Sequence, residues 1–145
     1  MTLGKYKIED YTVTIDGIDE IRQKVIYYNI DGDEIFISKF DGDYNEINPN
    51  YLTFNGSPLK VTNWQFRTQL SFMPSPNPNF NNLKDLVSYM IIQMTGNEKI
   101  KAEEAWDNSN YINRYSPLVL SMAQTLGMNE YDIDQIFIEA NNIKI

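Results

Sequence analysis

Residues 102–143 read AEEAWDNSNYINRYSPLVLSMAQTLGMNEYDIDQIFIEANNI, and the punctuation of this stretch makes the C-terminal part of the chain helical. Ser116 can cap an orphan N–H, and Pro117 has no N–H to lose at a first helical position. Leu118, Met122 and Leu126 then recur every four residues, with Val119 and Ala123 beside them, which gives one apolar stripe. Gly127 stands where a left-handed C-terminal residue is needed. Asn129 caps a second helix, and Glu130 and Asp132 in its first turn suit the positive end of the helix dipole. Ile133, Ile136, Phe137 and Ala140 fall at i, i+3, i+4 and i+7, so the two helices turn sharply and share their apolar faces.

The spacing of Ala123, Gly127, Ile133 and Ile136 resembles a DNA-binding helix-turn-helix, whose second helix reads bases between rows of phosphates. Here that helix opens with Glu130, Asp132 and Asp134 and meets no Lys or Arg before Lys144. Its carboxylates would be repelled, and no basic patch provides the counterion release that drives such binding. The expectation is a helical hairpin used for packing, with no nucleic-acid partner.

A length of 145 residues fits one domain, or two small lobes sharing a core. The chain has neither cysteine nor histidine. Disulfides, thiolate metal sites, Ser-His-Asp triads and Cys-His nucleophile systems are therefore excluded, and no metal or cofactor is expected. The missing cysteine leaves the redox compartment open and suits an intracellular or assembled protein. No signal peptide is recognised and no apolar run approaches the length of a bilayer span, so no membrane partner is expected. The net charge of −8 is evenly spread: residues 1–70 hold 11 acids and 7 bases, residues 71–145 hold 9 and 5. Such a balance favours solubility and disfavours anionic partners, and without clustering it does not imitate a nucleic acid.

From Lys5 to Val61 the signals are those of strands and tight turns. Asp16-Gly17, Asp31-Gly32, Asp41-Gly42 and Asn55-Gly56 separate apolar or alternating runs, the strongest short-range hairpin signal. An antiparallel meander of four to six strands is predicted. Trp64, Phe66 and Leu70 continue an apolar pattern of undetermined type. Prolines at 74, 76 and 78 then predict an extended connector over 73–81, either a linker between sheet and helices or an arm lying on a neighbouring subunit, flanked by Phe72 and Phe80. Asn82 caps a helix with Leu83, Leu86, Val87, Met90, Ile91 and Met94 on one face, ended by Gly96. A further helix is expected from Glu98 to about Ile112. The predicted class is α+β: a β-rich lobe over 1–72, a connector over 73–81, and about four short helices over 82–145.

Candidate chemistry is sparse. Asp41, Asp43 and Asn45 match the first three side-chain ligands of an EF-hand loop. The glycine required at its sixth position is Glu46, however, and the glutamate required at its twelfth is Leu52. Hairpin turns explain both this stretch and Asp31-Gly-Asp33-Glu34, and no bound cation is expected at either. No carboxylate pair stands out for glycoside hydrolysis, and no phosphate-binding loop or nucleophile elbow is present. Arg114, one of three arginines, could grip a partner's carboxylate or pair locally with Glu104 or Asp107. Two tryptophans and ten tyrosines suit either protein interfaces or half-buried strands. The candidate partner-binding residues are Trp64, Phe72, Phe80, Trp106, Arg114 and Tyr115.

The segment Ala102-Glu-Glu-Ala-Trp106, Asn113-Arg-Tyr-Ser-Pro-Leu118, Met122-Ala-Gln-Thr-Leu-Gly-Met128, Ile133-Asp-Gln-Ile-Phe137 and Ala140 resembles a C-terminal helical module of small tail-associated proteins of tailed bacteriophages. The resemblance covers under a third of the chain and rests mostly on packing residues. It implies a non-enzymatic virion component assembled in the host cytoplasm, at the tail, baseplate or fibre attachment. Such a component works in a homo- or hetero-oligomer with other virion proteins. The alternative is a small acidic inhibitor that blocks a host nucleic-acid-binding enzyme, for which carboxylates should gather on one face. A third reading, a carboxylate hydrolase, requires acids converging on a cavity.

Overall fold

The computed structural model describes residues 4–40, 42 and 46–144, and the chain is α+β, with an antiparallel-rich sheet followed by helices. It divides into two compact units between Leu59 and Lys60.

In the first unit β1 (Gly4–Ile15), β2 (Ile18–Asn29) and β3 (Glu34–Phe40) form an antiparallel meander. The short β4 (Tyr51–Leu52) adds to β1 in parallel, giving the order β3-β2-β1-β4. The β1–β2 turn needs only two residues because Asp16 (φ 52°) and Gly17 (φ 77°) both take positive φ. Asn29 shapes the next turn: its Oδ1 accepts from the N–H groups of Asp31 (3.0 Å) and Asp33 (2.8 Å). Gly4 sits between Asn29 and Tyr51, and a Cβ there would lie 1.9 Å from the Tyr28 carbonyl oxygen. The core gathers around Tyr27, whose ring stacks on Phe36 (4.5 Å) and meets Tyr51 edge-on (4.6 Å), with Tyr6, Val25, Phe40 and Ile47 also buried.

Asn55-Gly56 does turn the chain, through Gly56 N–H to the Thr53 carbonyl and Thr53 N–H to the Ser57 carbonyl. Its flanks are not hairpin partners, which corrects the meander predicted to continue through it. Tyr51–Leu52 pairs with β1, while Lys60–Thr62 (β5) lies in the second unit and pairs with Tyr111–Asn113 (β6). A turn dipeptide sets local chain direction; which strand each flank finds is decided by packing.

The second unit contains the five helices described: α1 (Asn63–Phe72), α2 (Leu83–Gln93), α3 (Gly96–Asn108), α4 (Pro117–Leu126) and α5 (Glu130–Asn141). The extra helix, α1, opens on a capping box: the Thr62 hydroxyl accepts from Gln65 N–H, and Gln65 Oε1 accepts from Thr62 N–H at 3.0 Å. Its Phe66 and Leu70 are wholly buried in the helical core, so the boundary expected at residue 72 falls earlier, before Lys60. The expected connector over 73–81 therefore links two helices inside one unit. It is not extended throughout: the Ser75 hydroxyl donates to the Asn77 carbonyl, Phe80 N–H returns to the same oxygen, and Leu83 N–H closes the loop on the Met73 carbonyl at 2.9 Å. Serine and asparagine side chains bend the backbone between prolines that alone would have kept it straight.

The α4–α5 hairpin has the predicted boundaries. Ser116 and Asn129 cap the two starts, and Gly127 takes the left-handed conformation (φ 67°) that ends α4. Val119, Met122, Ile133 and Phe137 join Phe66, Val87 and Trp106 in one core. The helix expected to run to Ile112 stops at Asn108, because Tyr111–Asn113 is taken up by β5.

Candidate interaction surfaces

The six residues expected to bind a partner separate by burial. Trp106 is 4 % exposed and Arg114 3 %, so neither offers a surface. Trp106 lies edge-on to Phe66 (6.4 Å) under the Arg67 guanidinium (4.7 Å). Arg114 Nε donates to Asp134 Oδ1 at 2.7 Å and its Nη2 donates to the Glu130 carbonyl at 3.2 Å, while the guanidinium caps the Tyr115 ring (5.0 Å). Its acid is thus Asp134, not Glu104 or Asp107: the α5 turn that carries Asp134 packs beside the segment leading into α4. The Arg114–Asp134 pair locks the α4–α5 hairpin to that lead-in. Phe80 and Tyr115 are half-buried, Phe80 against the Tyr89 ring at 5.1 Å. Only Trp64 (43 % exposed) and Phe72 (70 %) remain open, at opposite ends of α1 and about 12 Å apart along its axis. They form no common site.

A stronger surface is the distal half of the β1–β2 hairpin. The outermost β2–β3 pair is Gln23–Phe40, and β4 reaches β1 only at Gly4 and Lys5. From Tyr11 to Arg22 the hairpin is therefore a two-stranded ribbon with no third strand among the described residues. Directly opposed residues share a face, so Tyr11, Val13, Ile15 and Ile18 line one side while Thr12 and Ile21 sit on the other. Ile18 is 71 % exposed and Ile21 73 %.

Three polar pairs close within this ribbon. Thr14 Oγ1 donates to Asp19 Oδ1 (2.6 Å), Gln23 Nε2 to Asp10 Oδ1 (3.2 Å), and Arg22 Nη2 to Glu20 Oε2 (2.9 Å). That last bond raises the Arg22 pKa above its ordinary value. Lys24 lies over the Tyr11 ring at 5.6 Å. Among the residues the arm leaves open are Ile15, Ile18 and Ile21. An isolated two-stranded hairpin is marginal in water, so a ribbon ending in exposed isoleucines gains most by docking on another surface. Reading the sequence for aromatics missed it. The available signal was length: two 12-residue strands facing a 7-residue third.

An open recess of about 800 Å³ lies where β3 ends beside the arm, with Asp10, Glu20, Arg22 and Lys39 in its lining. Strand alternation places Asp10 and Glu20 on opposite faces of the ribbon, so the two carboxylates do not flank one point. In the second unit a groove of about 250 Å³ between α2 and α4 is lined by uncharged residues, including Met90, Met94, Leu118 and Met122. Among the described residues no three His, Cys, Asp or Glu side chains gather to hold a metal, and no helix is long and apolar enough to cross a membrane. Asp41, Asp43 and Asn45 of the calcium-like stretch lie outside the described residues.

Comparison with protein-family models, with curated proteins and with solved structures finds no match to this chain.

Proposed function

We propose that the chain is a non-enzymatic interaction protein, a component of a bacteriophage particle at the tail, baseplate or fibre attachment, which assembles through its projecting β-hairpin. The observation that carries the reading is the arm itself: three polar pairs closed within it, and isoleucines left open on both faces. Each open isoleucine, once covered, contributes on the order of 1–2 kcal/mol, so a few such contacts suffice for a specific complex. The helical hairpin resembles tail-associated modules of tailed phages, which supplies the setting. The outer side of α5 supports a protein partner over a nucleic acid, since it presents Glu130, Tyr131 and Asp132.

The test is quantitative mass spectrometry of particles purified from cells in which this gene is expressed during infection. A fixed copy number relative to the other particle proteins supports the reading. Absence from particles, with the chain recovered instead on one host nucleic-acid enzyme and released by salt, replaces it with the acidic-inhibitor reading.

A further inference from the structure

We propose that the outer edge of β3 pairs with the same edge of a second copy of this chain, antiparallel about a two-fold axis at Ile37. This goes beyond the particle role above and does not depend on it. Among the described residues β3 is the last strand of its sheet, and such an edge presents a row of N–H and C=O groups ready for another strand. Three consecutive side chains on it stay half-exposed: Ile35 (49 %), Phe36 (48 %) and Ile37 (50 %).

Charge selects the occupant. Lys39 stands directly opposite Lys24, a like-charge cross-strand pair that costs stability, and no carboxylate lies within ion-pair distance of either among the described residues. Glu34, at the other end of β3, has no cation there either. Register then decides the geometry. Tyr27 pairs with Phe36 and Tyr28 with Glu34, so Ile35 is skipped in a bulge. Glu34 is thereby returned to the face that carries Ile37 and Lys39. About a two-fold at Ile37, the two Ile37 side chains meet, Phe36 faces Ser38 of the second copy, and beyond the bulge Glu34 comes opposite the second copy's Lys39. Symmetry makes that ion pair twice.

The open edges of the arm do not fit a second copy: they carry Asp16, Asp19 and Glu20 against Arg22 alone, and two arms side by side would repel. A lysine on an edge strand can also serve as a guard against pairing. The two roles are separable by experiment.

Sedimentation equilibrium and native mass spectrometry of the full chain should show twice the 16.9 kDa chain mass at high micromolar concentration. Glu34→Lys and Lys39→Glu should each weaken the dimer about tenfold, because two attractive pairs become repulsive. An equimolar mixture of the two variants should recover wild-type affinity as a heterodimer, a result that misfolding of either variant could not give. Ile37→Cys, in a chain without native cysteine, should oxidise to a covalent dimer across a Cα separation of about 4.5–5.5 Å, whereas Ile21→Cys on the arm should not. A monomer at every concentration overturns the proposal and makes Lys39 a guard. A dimer indifferent to both charge changes, or one that cross-links equally at Ile21, overturns it as well.

Discussion

Replacing Asp134 by alanine leaves the Arg114 guanidinium, 3 % exposed, with the Glu130 carbonyl and the Tyr115 ring but without its carboxylate at 2.7 Å. Removing one member of a buried ion pair typically costs about 3–5 kcal/mol, mostly from stranding the other charge away from water. Against a usual domain stability of about 5–15 kcal/mol, that is a large share. For a unit of this size each kcal/mol shifts the melting temperature by about 4–8 °C, so the drop should be roughly 12 °C or more. The assay is urea and thermal unfolding followed by circular dichroism at helix wavelengths. Arg114→Met combined with Asp134→Leu should come back to within about 1–2 kcal/mol of wild type, since apolar replacement of a whole buried pair is often neutral. A single substitution costing under about 1 kcal/mol, or a double variant as unstable as the sum of the singles, would refute the reasoning.

Smaller perturbations follow from the same geometry. Gly4→Ala should disrupt the first unit severely, because its Cβ meets the Tyr28 carbonyl oxygen at 1.9 Å; loss of the Tyr27 environment by near-UV dichroism with helical signal retained would report it. Gly127→Ala forces a side chain into a left-handed position (φ 67°) and should cost about 1 kcal/mol by urea titration. Thr62→Ala removes one half of the α1 capping box and should cost about 1 kcal/mol, with faster amide exchange in the first turn of α1. Ile18→Asp with Ile21→Asp should leave stability within about 0.5 kcal/mol, since both side chains are over 70 % exposed in the free protein.

The helical half was legible where caps and period agreed. Ser116-Pro117, Gly127 and Asn129 state their positions outright, and α4 and α5 follow. α1 was less readable because its first turn carries Trp64 and Gln65, and its buried face includes Gln65 and Gln69 as well as Phe66 and Leu70. The buried Gln69 amide donates to Glu139 and that of Gln65 to the Ile143 carbonyl, partners far along the chain that periodicity does not register. Arg114 shows the same limit: its acid lies 20 residues downstream, and local spacing favoured nearer carboxylates. In the sheet, Asp16-Gly17 and Asp31-Gly32 located the turns. The ribbon's exposure was hidden because Tyr11, Val13, Ile15, Ile18 and Ile21 read like half-buried strand residues; what they lack among the described residues is a third strand, a property of topology and not of alternation.

The arm is the centre of this account, and its role is tested most directly by counting chains in purified particles assembled with wild-type protein or with the Ile18→Asp, Ile21→Asp variant. Replacing two exposed isoleucines by carboxylates should remove about 2–4 kcal/mol of contact energy, a loss of roughly 30- to 1,000-fold in affinity, so the variant should be absent from particles while remaining folded in the lysate. Incorporation of the variant at wild-type copy number would contradict the account.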